Sequence, residues 1–294
     1  IFAHFSPFSP HFPRSPSRPQ GERILAELQR LPARGVAVRV AVSAPSPAAP
    51  LDDLRALERS GAAVRAVDLP RLTGGVLHTK FWLVDGVHLY IGSANMDWRA
   101  LTQVKELGAA IYNCSCLAKD LGKIFEAYWS LGVPDASIPA PWPDNFSTSI
   151  NLQTPLETTL NDTAAAVYFS VGVTAGLWGS PGVSGESPRG GDNPPCPQRL
   201  FLVPASAAQS RIPFARVSHT KYMVTDKAAY VGTSNWSGDY FERTAGSALV
   251  VAQPGPGAGT FRERLRDLFE RDWSSRYSVD IGDTEGWAGR CGPR

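Results

Sequence analysis

The stretch VLHTKFWLVDGVHLYIGSANMDW, residues 76–98, decides the fold, because it has the composition of two β-strands joined by a tight turn. Asp85-Gly86 is a typical two-residue hairpin turn. Side chains two positions apart in a strand share a face, so we expect His78 and Lys80 to lie side by side. A histidine beside a lysine adds nothing to the packing of a sheet, which indicates that this face has a function.

The same pattern returns in RVSHTKYMVTDKAAYVGTSNWS, residues 216–237, and the two histidines are 141 positions apart. In the first copy we expect the returning strand to place Ser93 roughly opposite His78. Parity puts the aspartates of both copies on the other face, which favours a role in the turns. The candidate catalytic residues of the two motifs are His78, Lys80, Asp85, His219, Lys221 and Asp226, and the candidate phosphate-binding residues are Ser93, Asn95, Ser234 and Asn235.

A helix follows each copy of the motif and repeats with it. The fragments IFEAYW, residues 124–129, and LFERDW, residues 268–273, end in tryptophans that are 144 positions apart. This shared spacing of motif and helix indicates an internal duplication. Helical stripes alternate with strands from Gly21 onward, so we expect an α/β fold of two pseudo-duplicated lobes, the second of them incomplete.

Composition divides the chain into four parts. Residues 1–20 are rich in Pro, Ser and Phe, which predicts a disordered tail. Residues 21–170 form the predicted first lobe, and residues 199–294 form a second, partial lobe. Residues 171–198 are dense in Gly and Pro, so we interpret them as an irregular insert.

The charge balance is too mild to mark a nucleic-acid binder by charge alone, with a net charge of +2 and a pI of about 8.4. Any recognition of phosphate must therefore be local. The four cysteines are either structural thiols or part of a secreted chain with disulfide partners elsewhere, since Cys114 and Cys116 are too close to bridge each other in a strand. Sequons at Asn113, Asn145 and Asn161 are candidate glycosylation sites and favour a lumenal or extracellular address.

Two histidines and two lysines suit the cleavage of a phosphodiester. An imidazole nitrogen can displace one ester oxygen and form a covalent phospho-histidine. A second, protonated histidine can give a proton to the leaving oxygen and later take one from water. Lysines and asparagines supply donors for the nonbridging oxygens. We therefore expect a metal-independent reaction with no cofactor; which histidine attacks stays open, with a preference for His219.

Glu106 is the candidate residue for orienting a histidine, because a carboxylate can hold the Nδ1–H of His78. Thr244 stands at the matching place in the second half, and the nearest acid there is Glu242. The orienting partner of His219 is therefore left open. Lys105 is interpreted as a surface lysine, with contact to a substrate phosphate as the alternative.

The duplicated His-x-Lys-x4-Asp, each copy followed by Gly-Ser/Thr-x-Asn, resembles the signature of the phospholipase D superfamily. The segments GSANMDWRALTQVKELG and YNCSCLAKDLGKIFEAYW are most similar to its lysosomal 5′-exonuclease branch, family members 3 and 4, and LRDLFERDWSSRY is most similar to member 4. The resemblance implies a bilobal α/β/α sandwich and 5′-exonuclease action on single-stranded DNA and RNA in acidic endolysosomes. It also implies a type II single-pass anchor, upstream of this chain, in the membrane of the endoplasmic reticulum or endolysosome.

Two other functions stay open beside the exonuclease. One is hydrolysis or transphosphatidylation of a phospholipid, and the other is a catalytically inert, truncated isoform. The expected partner is a single-stranded nucleic acid and, in the alternative, a phospholipid. The sequence does not fix the oligomeric state, and a homodimer stays open. Because one histidine must be neutral and one charged, we expect a bell-shaped pH dependence with an optimum on the acidic side.

Overall fold

The computed structural model describes residues 18–44, 51–172, 197–253, 259–283 and Trp287. The predicted tail lies outside the described residues over positions 1–17, and the predicted insert over positions 173–196. Cys196 and Cys291 lie outside the described residues as well.

The first part of the chain alternates helices with strands, as the sequence pattern predicts. The elements in chain order are α1 Arg18–Arg30, β1 Arg39–Ser43, α2 Asp52–Arg59, β2 Ala63–Val67, α3 Leu69–Thr73, β3 Phe81–Val84, β4 His88–Gly92, α4 Trp98–Thr102, β5 Gly108–Ile111 and α5 Ser115–Leu131. Strands β1 and β2 pair in parallel around α2, which is the usual result of a strand-helix-strand connection. Helix α1 begins at Arg18, so the last three residues of the predicted tail are helical.

The remaining elements are mostly strands. They are β6 Leu156–Leu160, β7 Thr163–Gly172, β8 Arg199–Phe201, β9 Tyr222–Val224, β10 Ala228–Gly232, α6 Gly238–Glu242, β11 Gly246–Ala252, α7 Phe261–Trp273 and β12 Ser278–Asp280. Short 3-10 turns lie at Pro32–Arg34, Asp144–Phe146 and Gln209–Arg211.

Strands β6 and β7 correct the predicted lobe boundary. Strand β6 and most of β7 fall within residues 21–170, and the last two residues of β7 fall within the predicted insert. Strand β7 nevertheless pairs antiparallel with β11, from Gly172 opposite Gly246 to Ala166 opposite Ala252. The second sheet therefore has five strands in the order β6-β7-β11-β10-β9. Two of its strands, β6 and β7, precede most of the predicted insert in the sequence, and the other three follow it. The pairing of β7 with β11 joins these two groups into one sheet.

The two hairpins differ in their turns. In the first, Val84 pairs with His88, so three residues form the loop instead of the predicted two. Asp85 and Gly86 both have positive φ, at 54° and 65°, a conformation that an Asp-Gly pair tolerates well. In the second hairpin, the N–H of Thr225 donates to the carbonyl of Ala228 at 2.9 Å, so two residues, Asp226 and Lys227, form the turn, one fewer than in the first. This difference accounts for the unequal spacing of Lys and Asn in the two motifs.

One hydrophobic core joins the two halves. Helix α5 buries Leu117, Leu121 and Ile124 in a cluster that also contains Ile91 of β4 and Leu249 of β11. The prediction of a helix at this place is confirmed by its buried stripe. A shared core of this kind fixes the first motif hairpin relative to β11 of the second half. No helix in the described part of the chain is long and apolar enough to cross a membrane.

Candidate active site

The first histidine segment is attached to the second half of the chain. The backbone N–H of His78 donates to the carbonyl of Ala245 at 2.8 Å, and the N–H of Ala245 donates to the carbonyl of Val76 at 2.9 Å. This is a short parallel bridge between the strand that leads into the first motif and the start of β11. The second half therefore holds the backbone of the first histidine.

The second histidine segment is attached to the first half in the same way. The N–H of His219 donates to the carbonyl of Lys105 at 2.9 Å, and the N–H of Lys105 donates to the carbonyl of Val217 at 3.0 Å. Each half thus binds the histidine segment of the other. The two bridges run in opposite senses across the interface between the halves, and they bring the two motifs together.

The two lysines have equivalent places. Lys80 Nζ donates to the carbonyl of His78, and Lys221 Nζ donates to the carbonyl of His219 at 2.6 Å. Lys80 is 1 % exposed and Lys221 5 % exposed. Burial lowers the pKa of Lys80 well below its usual value, the charge of Lys221 lowers it further, and Glu106 opposes both effects. The two ammonium groups are therefore close enough to influence each other.

Lys221 experiences the same two opposing influences on its pKa, burial and the charge of Glu106. Burial lowers the pKa of Lys221 to about 8, and the carboxylate of Glu106 opposes this shift. A buried lysine with few protein acceptors is suited to receive an anion, because the anion restores the stabilisation that water no longer provides.

Glu106 holds His219, which corrects the prediction that it orients His78. Its two carboxylate oxygens lie 2.9 Å and 2.9 Å from Nδ1 of His219, and it also accepts a hydrogen bond from the hydroxyl of Ser93. The Glu106 side chain is 10 % exposed, whereas the His219 side chain is 27 % exposed. A carboxylate on Nδ1 fixes the tautomer of the ring and leaves Nε2 as the free nitrogen.

The first half of the chain therefore supplies the carboxylate for the histidine of the second half. Sequence reasoning missed this pairing because it looked for each partner within one motif copy. The crossed bridge between Lys105 and Ser218 places Glu106 beside the other histidine.

Hydrogen bonds also establish which residues are equivalent in the two halves. Gly92 N–H donates to the carbonyl of Lys80 at 3.1 Å, and Gly232 N–H donates to the carbonyl of Lys221 at 2.8 Å. The next residue of each copy, Ser93 or Thr233, donates its N–H to a carbonyl at the start of the following strand: Leu107, just before β5, or Ser247 of β11.

Thr233 is thus the counterpart of Ser93, and the predicted phosphate-binding Ser234 corresponds to Ala94. The hydroxyl of Ser234 occupies the space that a side chain at Gly246 would need. Ser93 itself pairs with Leu107 and does not lie opposite His78 as predicted, because the loop of the first hairpin has three residues.

The same equivalence shows that the two histidines have different surroundings. Ser93 N–H donates to Leu107, and Thr233 N–H donates to Ser247, so the counterpart of Glu106 is Gly246, not the predicted Thr244. No carboxylate can stand there. The ring of His78 instead meets Tyr240 edge to face, with centroids 4.9 Å apart.

An asparagine stands two residues after Ser93 in the first copy and two residues after Thr233 in the second. Asn95 Oδ1 is buried and has no hydrogen-bond partner among the residues that the structure describes. This amide is therefore not tied to the protein through its oxygen. Asn235 lies at the equivalent position and is half-buried.

The aspartates of the motifs lie away from this cluster, which corrects their inclusion among the candidate catalytic residues. Asp85 and Asp226 are exposed and lie in the turns at the far ends of the two hairpins. The carbonyl of Asp226 accepts a hydrogen bond from the guanidinium of Arg262. Both aspartates are turn residues, as the parity of the strands indicates.

The other predicted sites lie on the surface. Asn113, Asn145 and Asn161 are exposed. Cys114 and Cys116 lie at the start of α5 as free thiols with their Sγ atoms 3.2 Å apart. In the described ranges there is no group of three or more His, Cys, Asp or Glu side chains arranged to hold a metal ion.

Comparisons with known proteins agree with this architecture. A family model described as "PLD3/4, PLD-like domain" matches residues 7–174. The Xenopus laevis protein "5'-3' exonuclease PLD3" is 44% identical, in an alignment that covers 95% of this chain and 72% of the relative. The Mus musculus protein "5'-3' exonuclease PLD4" is 41% identical, with coverages of 90% and 68%.

A solved structure shares the fold alone. The crystal structure of phosphatidylserine synthase from Haemophilus influenzae superposes with a TM-score of 0.51 at 10% identity, covering 95% of this chain and 81% of that one. Its low identity carries no functional argument. With the family model matched over more than half of the chain and these relatives above 40% identity, the chain belongs to the PLD3/4 family of phospholipase D-like proteins.

Proposed function

We propose that this chain is a phosphodiesterase that acts as a 5′-3′ exonuclease on single-stranded DNA or RNA through a phospho-histidine intermediate. The observation that carries the proposal is the contact between Glu106 of one half and Nδ1 of His219 of the other, between two buried lysines. The printed names of the relatives, 5'-3' exonucleases, support the same class of reaction.

In the first step, Nε2 of His219 attacks phosphorus and the bond from phosphorus to the leaving oxygen breaks. The Glu106 carboxylate accepts a hydrogen bond from the Nδ1–H of His219 and stabilises the positive charge that develops on the ring. His78 gives its proton to the leaving oxygen, since an alkoxide leaves poorly without one. The product of this step is phospho-His219 and a free hydroxyl on the released strand or nucleotide.

In the second step, the now neutral His78 takes a proton from water, and the hydroxide attacks phosphorus. The bond from phosphorus to Nε2 breaks, and His219 returns to its starting state. Lys80, Lys221 and the amide of Asn95 supply charge and donors for the nonbridging oxygens in both steps. The negative charge of the substrate phosphate stabilises the two lysine ammonium groups in place of the water that burial excludes.

A p-nitrophenyl phosphodiester separates the roles of the two histidines, because nitrophenolate leaves without a proton. We expect His78→Ala to release one equivalent of nitrophenol per enzyme in a burst and then stop at phospho-His219. We expect His219→Ala to give no burst. The reverse result would make His78 the nucleophile, and full turnover in either variant would sink the two-histidine mechanism. His88→Ala, a histidine outside the cluster, is the matched control.

Substrate class is tested with a 5′-hydroxyl oligonucleotide beside phospholipid vesicles. Shortening of the oligonucleotide from its 5′ end supports the exonuclease, whereas headgroup release alone favours the lipid alternative. Activity on neither substrate favours the inert, truncated isoform. This alternative is tested because the alignment with the Xenopus relative runs over 354 residues and this chain has 294. The relative therefore has residues that this chain lacks.

The proposal includes a lumenal, endolysosomal address with a membrane anchor upstream of this chain, and glycans on the three sequons. The exposure of Asn113, Asn145 and Asn161 supports it, because a glycosyltransferase needs accessible asparagines. Treatment of the secreted chain with an endoglycosidase is expected to lower its mass, and sedimentation of the same sample tests the homodimer.

A further inference from the structure

A basic and aromatic cavity lies beside the segment that carries Glu106. Its volume is about 390 Å³, which is within the range of small-ligand sites. Two aromatic rings and three cations contribute to its wall. These lining residues are Phe201, Tyr277, Lys105, Arg216 and Arg271, and the carboxylate of Asp272 also lines the cavity.

The cavity adjoins the candidate active site. A smaller neighbouring cavity of about 170 Å³ shares Lys105, Arg271 and Asp272 with it and reaches Glu106 and Thr220. Thr220 follows His219 directly in the chain. The backbone of Lys105 is also the hydrogen-bonding partner of His219, so a ligand in the larger cavity lies next to the reacting centre.

Among the described residues that line this cavity, cations outnumber acidic groups. Asp272 is the acidic group among the lining residues, and it bonds both Lys105 Nζ and Arg271, the latter at 3.0 Å. The guanidinium of Arg216 donates to the carbonyl of Pro204, and no carboxylate among the described residues forms an ion pair with it. Three cations against one carboxylate leave an excess of positive charge, which suits a phosphate.

The aromatic rings are held by secondary structure. Phe201 ends β8, and its backbone pairs with Ser278 of β12, while Tyr277 precedes that strand. The two rings meet edge to face with centroids 6.3 Å apart, and Lys105 Nζ lies 5.0 Å from the centre of the Phe201 ring. Half-buried rings beside cations are the usual surface on which a nucleobase stacks.

We propose that this cavity is a nucleotide-binding subsite for the residue of the substrate strand next to the scissile phosphodiester. The base lies against the two rings and a phosphate lies among the cations. This proposal rests on the proposed exonuclease function, and it names a part of the molecule that the motif residues do not include.

The test compares Arg271→Ala and Tyr277→Leu with Arg264→Ala in the full chain. Arg264 is exposed on the same helix α7 but does not line the cavity, so its substitution removes the same charge elsewhere. We expect KM for a single-stranded oligonucleotide to rise about tenfold in the two cavity variants, as loss of one stacking or phosphate contact predicts. Turnover of bis(p-nitrophenyl) phosphate, which is too small to use the subsite, is expected to stay within about twofold.

A binding measurement keeps the two proposals separate. In the His219→Ala background, the dissociation constant of a fluorescent oligonucleotide is measured with and without each cavity substitution. Weaker binding in both cavity variants supports the subsite whether or not the wild-type chain turns over. Binding equal to that of Arg264→Ala overturns it while leaving the catalytic proposal intact. A loss confined to Arg271→Ala reduces the cavity to an anion site and overturns the nucleotide assignment.

Discussion

At the residue scale, the contact between Glu106 and His219 has the largest expected effect on rate. We predict that Glu106→Gln lowers kcat about 10²- to 10⁴-fold, because the neutral amide neither fixes the tautomer reliably nor stabilises the charged ring. KM is expected to change little, since the glutamate does not contact substrate. Steady-state kinetics on an oligonucleotide gives both constants.

Glu157→Gln, an exposed substitution on β6, serves as the control for the loss of one carboxylate. A kcat for Glu106→Gln within about tenfold of the control would show that the ring of His219 does not depend on this partner.

Lys221 sets an expected limit on the alkaline side. Its pKa is lowered to about 8, so the ammonium that receives the phosphate is lost as the pH rises through about 8. We predict that kcat/KM, which reports the free enzyme, falls over this range. Lys221→Arg is expected to move the fall to higher pH, because a guanidinium stays charged.

Lys227→Arg, in the exposed turn of the second hairpin, is the matched control. The sign for stability is the opposite of that for activity. Between about pH 8 and the ordinary lysine value of 10.5, the unfolded chain binds more protons at this residue than the native one, so Lys221 makes the native state more stable as pH rises. An alkaline limb that is identical in Lys221→Arg and wild type would remove Lys221 from this role.

At the element scale, the two strands β4 and β5 approach so closely that only glycine fits at their end. A Cβ on Gly92 would lie 2.5 Å from the Cα of Gly108 and 2.7 Å from the carbonyl oxygen of Leu107. Because backbone atoms cannot move aside as a side chain can, we predict that Gly92→Ala lowers the free energy of unfolding by about 1–3 kcal/mol.

Urea denaturation measures this change, with Gly238→Ala as the control. Nothing lies within 4 Å of a Cβ at Gly238, so its substitution is expected to be neutral or slightly stabilising. Equal midpoints for the two variants would contradict the close approach of the strands. The same change at Gly92 is also expected to disturb the site, because Ser93 follows directly.

The elements were largely predictable because they depend on local pattern. The stripe of α5 and the alternation of β1 and β2 follow from residues close in sequence. The three-residue turn was not predictable, since an Asp-Gly pair occurs in loops of either length. Of the site, the lysines and histidines follow from the motif, but the pairing of Glu106 with His219 depends on how the halves dock.

The equivalence of Glu106 with Gly246 shows the same limit. Sequence spacing pointed to Thr244, and only the hydrogen bonds of Ser93 and Thr233 identify the correct counterpart. The addition of β6 and β7 to the second sheet was likewise hidden, because strand neighbours far apart in sequence leave no local signal.

At the scale of the whole molecule, a buried hydrogen bond joins the halves. The hydroxyls of Thr79 and Ser247 bond each other, and both residues are buried. We predict that Thr79→Val and Ser247→Ala each destabilise the protein by about 1–3 kcal/mol, because each leaves one buried hydroxyl partner unsatisfied. The double variant is expected to lose less than the sum of the two.

A double-mutant cycle in urea gives the coupling, which we expect at about 0.5–3 kcal/mol. Strictly additive losses would mean that the two hydroxyls do not interact in solution. Thr73→Val paired with Ser247→Ala is a suitable control, since Thr73 bonds the carbonyls of Leu69 and Arg243 instead.

The backbone hydrogen bonds of His78 with Ala245 and of His219 with Lys105 have a consequence for how the protein unfolds on heating or in denaturant. Neither half can keep its own reactive ring in place once its neighbour has melted, so there is no partly unfolded species with a working centre. Catalysis and global structure are expected to disappear at a common midpoint, and two polypeptides cut between the halves would regain turnover only when mixed.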